Sequence, residues 1–526
     1  MASGMKGRVL ASFACLVMVL CASGTASACR DGAATNRVGD FSVGYASPGA
    51  LRTAVAAQHT RVVRVLPALR IAQIRLAVSA AAQLSRQPGI RFVERVATRT
   101  DAAEPGLQAV TGKSAALEWQ FTATHEDEVP DWVLRAASSV TIAVVDTGAD
   151  LSAPDLAAKS PVSFSPRTGT ADVRDTVGHG TFVAALAAGS VTNGEGIAGF
   201  GGDAKLMIVK TGAGDGSIAD VDEAAAIAYA VDHGARILNL SFGGTTTSAT
   251  EKNAIEYATT RGVLVVAAAG NHFLTGNPTV YPAALVQPLD SRGVGGTGLS
   301  VAASTESGAR ASFSSTGGYV SLAAPGDGVF SAVASASPAT TFPRVPLPGS
   351  LRGLYGYGSG TSFAAPEVAG AAALVMAANP LLNALDVARV LKESASGGRS
   401  WTPELGYGVL DVAAAVDAAR EAQPTLARAG LKLVARVVHR RVKLAASLAS
   451  VVPGVATVGR RVAFDRYDAA RKVWTPIGTA ETRTDGRAVF TLSLAKGSLK
   501  LRARWAGAAD LAAASSKAVT VRALRS

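Results

Sequence analysis

Three residues of this 526-residue sequence carry side chains that together could run nucleophilic chemistry, and each stands where the chain changes character. Asp146 closes the apolar run Thr141-Ile142-Ala143-Val144-Val145-Asp146 ahead of Thr147-Gly148; His179 is flanked by glycines in Gly178-His179-Gly180-Thr181. Ser362 stands in Gly360-Thr361-Ser362-Phe363-Ala364-Ala365-Pro366, at the head of an apolar stretch that runs to Ala378. Taken singly, each has an ordinary structural reading: an aspartate capping a turn, a histidine opening a helix, a serine as N-cap. Taken together, they are the set that makes a nucleophile of a neutral serine. The imidazole accepts the hydroxyl proton, and the carboxylate fixes the histidine tautomer and stabilises the imidazolium. A fourth run, Val265-Val266-Ala267-Ala268-Ala269-Gly270-Asn271, also ends an apolar strand on a polar side chain, here an amide donor. Pro366 reads as part of the first turn of a helix over 363–378, where its missing N–H removes no bond. That places Ser362 at the positive end of the helix dipole.

The elements that must hold these residues are short apolar runs at 140–145, 205–209, 235–240, 262–268, 299–303 and 320–323. Ala-rich helices are expected at 181–188, 218–233, 247–261 and 363–378. Runs that are continuously apolar rather than alternating indicate a parallel sheet buried on both faces, hence an α/β, three-layer body. In such sheets ligands sit at the carboxyl ends of the strands, where Asp146 and Asn271 stand. A substrate chain would be held by main-chain pairing, for which Gly214-Asp215-Gly216-Ser217 and Leu240-Ser241-Phe242-Gly243-Gly244 are candidate edges.

The flanks read differently. Residues 41–96 suggest a small α+β unit: strand 41–45, helix 48–57, an extended stretch 61–77 broken near Pro67, helix 79–86 and strand 90–96. The polar stretch 97–118 reads as a linker, and 334–358, rich in proline and glycine, as a mobile rim or an autolysis-prone loop. Beyond Pro424 the apolar period becomes two, with strands at 462–467, 473–479, 487–494, 499–505 and 518–523 and a hairpin turn at Asp485-Gly486, which suggests a β-sandwich. His439 in this region has no partner signature. At the N-terminus Lys6 and Arg8 precede an apolar stretch at 9–22 and the small-residue site Ala26-Ser27-Ala28, the pattern of a signal peptide. All three cysteines, Cys15, Cys21 and Cys29, fall there; cleavage would leave at most one, so no internal disulfide is expected. Acylation of Cys29 is the alternative, giving a lipid-anchored protein.

A net charge of +12 would suggest a polyanionic partner, and a composition 48% hydrophobic and 17% charged excludes a disordered chain. By segment, however, the net charge is +2 over 1–28, +6 over 29–118, −10 over 119–420 and +14 over 421–526. No uniform basic face follows, and no nucleic-acid partner is expected.

The three catalytic-type motifs, in the order Asp, His, Ser, resemble those of the subtilisin-like serine proteases, the subtilases, over residues 119–418. The resemblance implies a serine endopeptidase with Ser362 as nucleophile, His179 as general base and acid, Asp146 as its orienter and Asn271 as oxyanion donor. It also implies a specificity pocket lined by Ser241, Phe242, Gly243, Gly244, Ala268, Ala269 and Gly270, with Val280 near its base. No cofactor is implied for the chemistry. Asp155 and Asn193 resemble two ligands of a structural calcium site, although two residues also fit a plain turn. Glu367, where histidine often follows the proline, and His272, after the asparagine, depart from the pattern. Residues 41–96 resemble the inhibitory propeptide of secreted subtilases, and the C-terminal region resembles bacterial immunoglobulin-like domains. The expected organisation is a signal peptide (1–28), propeptide and linker (29–118), catalytic domain (119–420) and immunoglobulin-like β-sandwich (421–526). The expected protein is secreted, self-processing and monomeric, acts on polypeptides, and contacts a cell wall or surface through its basic C-terminal region. A narrow maturation protease and a catalytically silent surface binding protein are the rival readings.

Overall fold

The computed structural model describes residues 38–58, 60–99, 118–193, 196–345, 354–425, 429–438, 441–450, 457–483, 486–493, 498–508 and 511–522. The signal-peptide stretch with its three cysteines, most of the linker, Gly194, Glu195, His439 and Asp485 lie outside the described residues.

The body is a three-layer α/β fold around a seven-stranded sheet whose neighbouring strands are all parallel. In spatial order the strands are Leu322–Pro325, Gly298–Ser304, Leu264–Ala268, Ile237–Leu240, Thr141–Asp146, Lys205–Lys210 and Val162–Phe164. From Thr141–Asp146 the chain first builds outward on one side, then returns to build the other side from Ile237–Leu240. The sheet therefore switches direction beside Asp146, and this is where a crevice opens at the strand ends. Val144, Val145, Val265 and Val266 are wholly buried, as strands covered on both faces require. One face is covered by helices His179–Ala188 and Thr361–Ala378, the other by Asp220–Asp232 and Ala249–Thr259. The helix Thr361–Ala378 is long and apolar enough to cross a membrane, but 94% of it is buried inside the fold, where it serves as the core helix.

Several expected boundaries move, each for a local reason. Residues 218–219 are not helical: they pair antiparallel with Thr98–Arg99, so the helix begins at Asp220 and the supposed linker starts as a docked strand. The histidine helix begins at His179 itself, because Asp175 caps its amides. The serine helix begins at Thr361, which makes Pro366 its sixth residue rather than part of its first turn. The described part of the 334–358 stretch is tied down. Ser335 donates its amide to Asp150 Oδ2 at 2.8 Å, Val345 pairs with Tyr355, and Phe342 is buried.

Residues 38–95 form a four-stranded antiparallel sheet in the order Arg61–Leu66, Ile71–Ala77, Val38–Tyr45, Ile90–Arg95, with helices Pro48–Ala57 and Val78–Ser85 and its own small core. Its Leu66, Leu69 and Ile71 share an apolar cluster with Val221, Ile227 and Ile255 of the body. The Glu94 carboxylate accepts the Ala249 amide at 2.9 Å, an anion at a helix N-terminus. Arg64 meets Asp222 at 2.6 Å.

The C-terminal strands form antiparallel sheets, Ala429–Val438 with Arg441–Ser450 and Arg487–Ser493, and Val473–Glu481 with Arg461–Asp468, Ser498–Trp505, Ala514–Ser515 and Val519–Arg522. They enclose Leu433, Val442, Leu444, Phe464 and Leu501. The first two strands and Ala514–Ser515 were not delimited from sequence, although Leu431, Leu433, Ala435 and Val437 already alternate there.

Candidate active site

Asp146 ends its strand with its carboxylate buried and directed at the histidine helix. His179 Nδ1 lies 2.7 Å from Asp146 Oδ1, and both residues are 2% exposed. The same oxygen accepts the Thr147 amide at 2.7 Å, and the Asp146 carbonyl accepts the Thr211 amide at 2.8 Å, so strand end and carboxylate are fixed together. The glycines on either side are required by close approach. A Cβ on Gly180 would lie 2.2 Å from the Gly148 carbonyl oxygen, and one on Gly178 would lie 2.7 Å from Ser337 Cβ.

Behind this pair stands a residue that sequence reasoning did not single out. Asp175, fully buried, accepts five hydrogen bonds: through Oδ1 from the Val177 and Gly178 amides and the Thr147 hydroxyl, and through Oδ2 from the amide and hydroxyl of Thr181. Thr147 Oγ1 in turn accepts the Gly180 amide at 2.9 Å, which joins the aspartate loop to the histidine loop. The signal was available: an aspartate just ahead of Gly178-His179-Gly180-Thr181 is a capping pattern.

Ser362 occupies the second position of its helix and is 3% exposed. Pro366 lacks the N–H that would bond the Ser362 carbonyl, so that oxygen loses its intrahelical partner. The Ser241 hydroxyl supplies one at 2.7 Å, and Asn239 Nδ2 donates to Ser241 Oγ at 2.8 Å. Thus the helix passes through Pro366 because a neighbouring strand end replaces the lost bond, and Ser241 is tied to the Ser362 backbone.

Asn271 is held by its carbonyl end. Thr361 donates both its amide and its hydroxyl to Asn271 Oδ1, each at 2.9 Å, which turns the amide nitrogen to the other side. Thr361 Oγ1 also accepts the Gly270 amide at 3.1 Å. One threonine beside the serine therefore orients the amide donor, a second role that the motif did not reveal.

Two of the expected pocket residues, Gly243 and Gly270, meet at Val280. Its two methyls lie 2.6 Å and 2.5 Å from where Cβ atoms of Gly243 and Gly270 would stand, so it wedges between these glycines. Ala268 and Ala269 are buried on the same strand end, Phe242 is 2% exposed, and Gly244 pairs with Tyr281 through both its backbone groups. Gly214 and Gly216 sit in a tight turn, Ala213 N bonding Ser217 O at 2.8 Å, and the edge that pairs is Ile218–Ala219 just beyond them.

Asp155 and Asn193 also meet, at 3.2 Å, but the Asp155 oxygens accept from Asn193 Nδ2, the Ile197 amide and the Tyr355 hydroxyl. A carboxylate so occupied by donors is a hydrogen-bonded tie and does not fit a calcium ion as arranged. No group of three or more His, Cys, Asp or Glu able to hold a metal occurs among the described residues.

A buried carboxylate with an imidazole on it, a serine at a helix N-terminus and an amide turned by its neighbour can activate a hydroxyl and receive a developing oxyanion. The subtilase family profile matches residues 137–408. The chain is 34% identical over 272 residues to the thermophilic serine proteinase of Bacillus sp. (strain AK1), covering 52% of this chain and 60% of that one. It is 36% identical over 279 residues to subtilisin BL of Lederbergia lenta, covering 53% and 91%. Fervidolysin of Fervidobacterium pennivorans is 30% identical over 430 residues, covering 74% of this chain and 59% of its own. Its crystal structure, described as that of a keratinolytic enzyme related to subtilisin, superposes with a TM-score of 0.61 at 22% identity, covering 90% of this chain and 88% of that one. The match thus spans about three fifths of the length of the Bacillus proteinase and of fervidolysin, and nearly all of subtilisin BL. With the family profile covering just over half its length, the chain belongs to the subtilase family.

Proposed function

We propose that this subtilase is a secreted serine endopeptidase that hydrolyses polypeptides and releases itself from its own N-terminal segment. The observation that carries the reading is the buried 2.7 Å contact of His179 Nδ1 with Asp146 Oδ1, with the His179 ring centred 5.6 Å from that of Phe363, the residue next to Ser362 at the start of its helix. In the mechanism, His179 Nε2 takes the Ser362 proton as Oγ attacks the scissile carbonyl, and later gives a proton to the leaving amine. Asp146 keeps the proton of the imidazole on Nδ1. The Asn271 amide and the Ser362 backbone N–H receive the oxyanion; in subtilisin such a side-chain donor contributes roughly 10²–10³ in kcat. Water then repeats the sequence on the acyl-enzyme.

In this reading 1–28 is a signal peptide, 29–118 a propeptide that folds on the body and inhibits it, 119–420 the catalytic domain and 421–526 an immunoglobulin-like sandwich that contacts an anionic surface. The docking of 38–99 across the acidic helix ends supports the inhibitor role. No cofactor takes part. A structural calcium at Asp155 would have to displace its three donors, so chelation with EDTA is expected to leave the melting temperature unchanged.

A fluorophosphonate probe is expected to label Ser362 in the processed protein. Ser362→Ala is expected to accumulate the uncut chain; absence of labelling, together with normal trimming of the alanine variant, overturns the reading.

A further inference from the structure

Arg99, the last described residue before the cleavage stretch, is 5% exposed, and its guanidinium is held inside the body rather than at its surface. Arg99 Nη1 lies 3.0 Å from Glu223 Oε2 and also bonds Glu251 Oε1, and both glutamates are wholly buried. Burial works against the Arg99 charge, but Glu223, Glu251 and Asp220 outweigh it and hold the guanidinium protonated. These three acids come from the first turns of two different helices, Asp220–Asp232 and Ala249–Thr259. Burial is the largest influence on both acids: it pushes the Asp220 carboxyl up to about 6 even against the lowering by the Ser248 hydroxyl and Arg99, and with the neighbouring carboxylates it raises Glu223 against Arg99 as well. Without a cation, the body would keep three carboxyls together in a poorly solvated place, a costly arrangement.

The position of this pocket relative to the nucleophile gives it meaning. Thr98–Arg99 pairs antiparallel with Ile218–Ala219, and the Ala97 carbonyl accepts the Asp220 amide at 2.9 Å. Followed backward from Ile218, the body's chain leads to Thr211 and Gly212, whose amides bond the Asp146 carbonyl. A chain bound like Thr98–Arg99 therefore runs toward the catalytic aspartate as its numbering rises. On its other side the Arg99 stem lies 3.3 Å from where a Cβ of Gly244 would stand, three residues after the Ser241 that holds the Ser362 carbonyl.

We propose that Asp220, Glu223 and Glu251 form an acidic subsite of the substrate cleft, which takes an arginine or lysine side chain on the N-terminal side of the scissile bond and which Arg99 fills before processing. The inference rests on the endopeptidase reading and adds a substrate class to it: extended polypeptides with a basic residue upstream of the cut. Two carboxylates from separate helices give a guanidinium more than one acceptor, and a cation is the one side chain that repays the desolvation of the acids.

The test uses processed protein and fluorogenic peptides that differ only in carrying Arg, Lys, norleucine or Glu at each successive position upstream of the cut. At one of these positions kcat/KM is expected to be at least about tenfold higher for Arg or Lys than for norleucine, and lowest for Glu. Replacing Glu223→Gln together with Glu251→Gln is expected to bring the Arg-to-norleucine ratio to about one. Because that variant could fail to fold, the unmodified enzyme decides first: cleavage with no basic preference at any upstream position overturns the subsite and leaves Arg99 as a docking contact only. Peptides uncut by a protein that also resists the fluorophosphonate would instead sink the endopeptidase reading.

Discussion

At the Ser362 end of the cleft, the body's own donors and acceptors tie the buried polar groups: Asp175 to two loops, Thr361 to Asn271, Ser241 to the Ser362 carbonyl. At the Arg99 end, three buried carboxyls are balanced by a guanidinium from outside the body. The first network survives loss of the N-terminal segment, since none of these bonds depends on it. The second loses its cation. Catalytic geometry is thus built in, whereas the charge balance of the cleft is conditional on what lies in it. Under the proposed inhibitor role that division is what is needed, because the N-terminal segment can leave without disturbing the reacting groups.

The comparison breaks most directly at Asp175. Asp175→Ala orphans four buried donors and one part-buried one, at about 1 kcal/mol or more for each buried donor, on the order of 4 kcal/mol against a typical net stability of about 5–15 kcal/mol. Little folded protein is expected, with a lowered unfolding midpoint in urea for what remains; an unchanged midpoint would mean the catalytic end is not tied from within. The other end is probed by Arg99→Gln in the uncut Ser362→Ala chain. Losing one partner of a buried charge pair costs about 2–5 kcal/mol, so exchange of the Asp220 amide, which bonds Ala97, should quicken about 10²-fold at pH 8. The sign with pH follows from linkage. Arg99 holds its partners' pKa values below those of the emptied pocket, so its contribution is present at high pH and fades as pH falls, first as Glu223, raised further by burial, takes up a proton and then through about 6, where Asp220 does. The ratio of exchange rates between variant and parent should shrink accordingly.

How much of this could be read from sequence depends on how far apart the partners stand. The strands ending at Asp146 and Asn271 and the glycines around His179 are local patterns, so the parallel sheet and the candidate triad were legible. Asp175 was visible as a capping pattern and passed over among ordinary turn signals. Pro366 was assigned to the wrong turn because a helix start is poorly fixed by propensity when the first residues, Thr361 and Ser362, also favour caps. The Arg99 contact with Glu251 joins residues 152 positions apart and had no local signal. Charge sums of +6 and −10 are opposite in sign but do not say which residues meet.

A finer cut within the catalytic end falls on Thr361. Thr361→Val keeps the shape and the backbone bond to Asn271 while removing the hydroxyl that also meets Asn271 and accepts Gly270. If the amide donor works only when so oriented, kcat should fall about 10–100-fold with KM little changed, since the oxyanion exists only beyond the ground state. A fall in kcat/KM carried by KM would assign Thr361 to the pocket instead.

Glu367 supplies the third way to bury a carboxyl, and the smallest effect. It lies in the serine helix five residues beyond Ser362, wholly buried, with neither oxygen hydrogen-bonded, and burial raises its pKa well above the usual carboxylate range. Where the Arg99 pocket borrows a cation, Glu367 keeps its proton. Its folded pKa exceeds its unfolded one, so its contribution to stability is intact below the unfolded value near 4.5 and is lost progressively as pH rises toward the folded pKa. Glu367→Gln, neutral in both states, removes that dependence. From pH 5 to pH 6 the stability difference between variant and parent should open in the variant's favour by about 1.4 kcal/mol, one proton's worth. Urea unfolding at the two pH values measures it on the inactive Ser362→Ala background, which prevents self-digestion. A difference that stays flat would mean that the carboxyl is ionised in the folded protein.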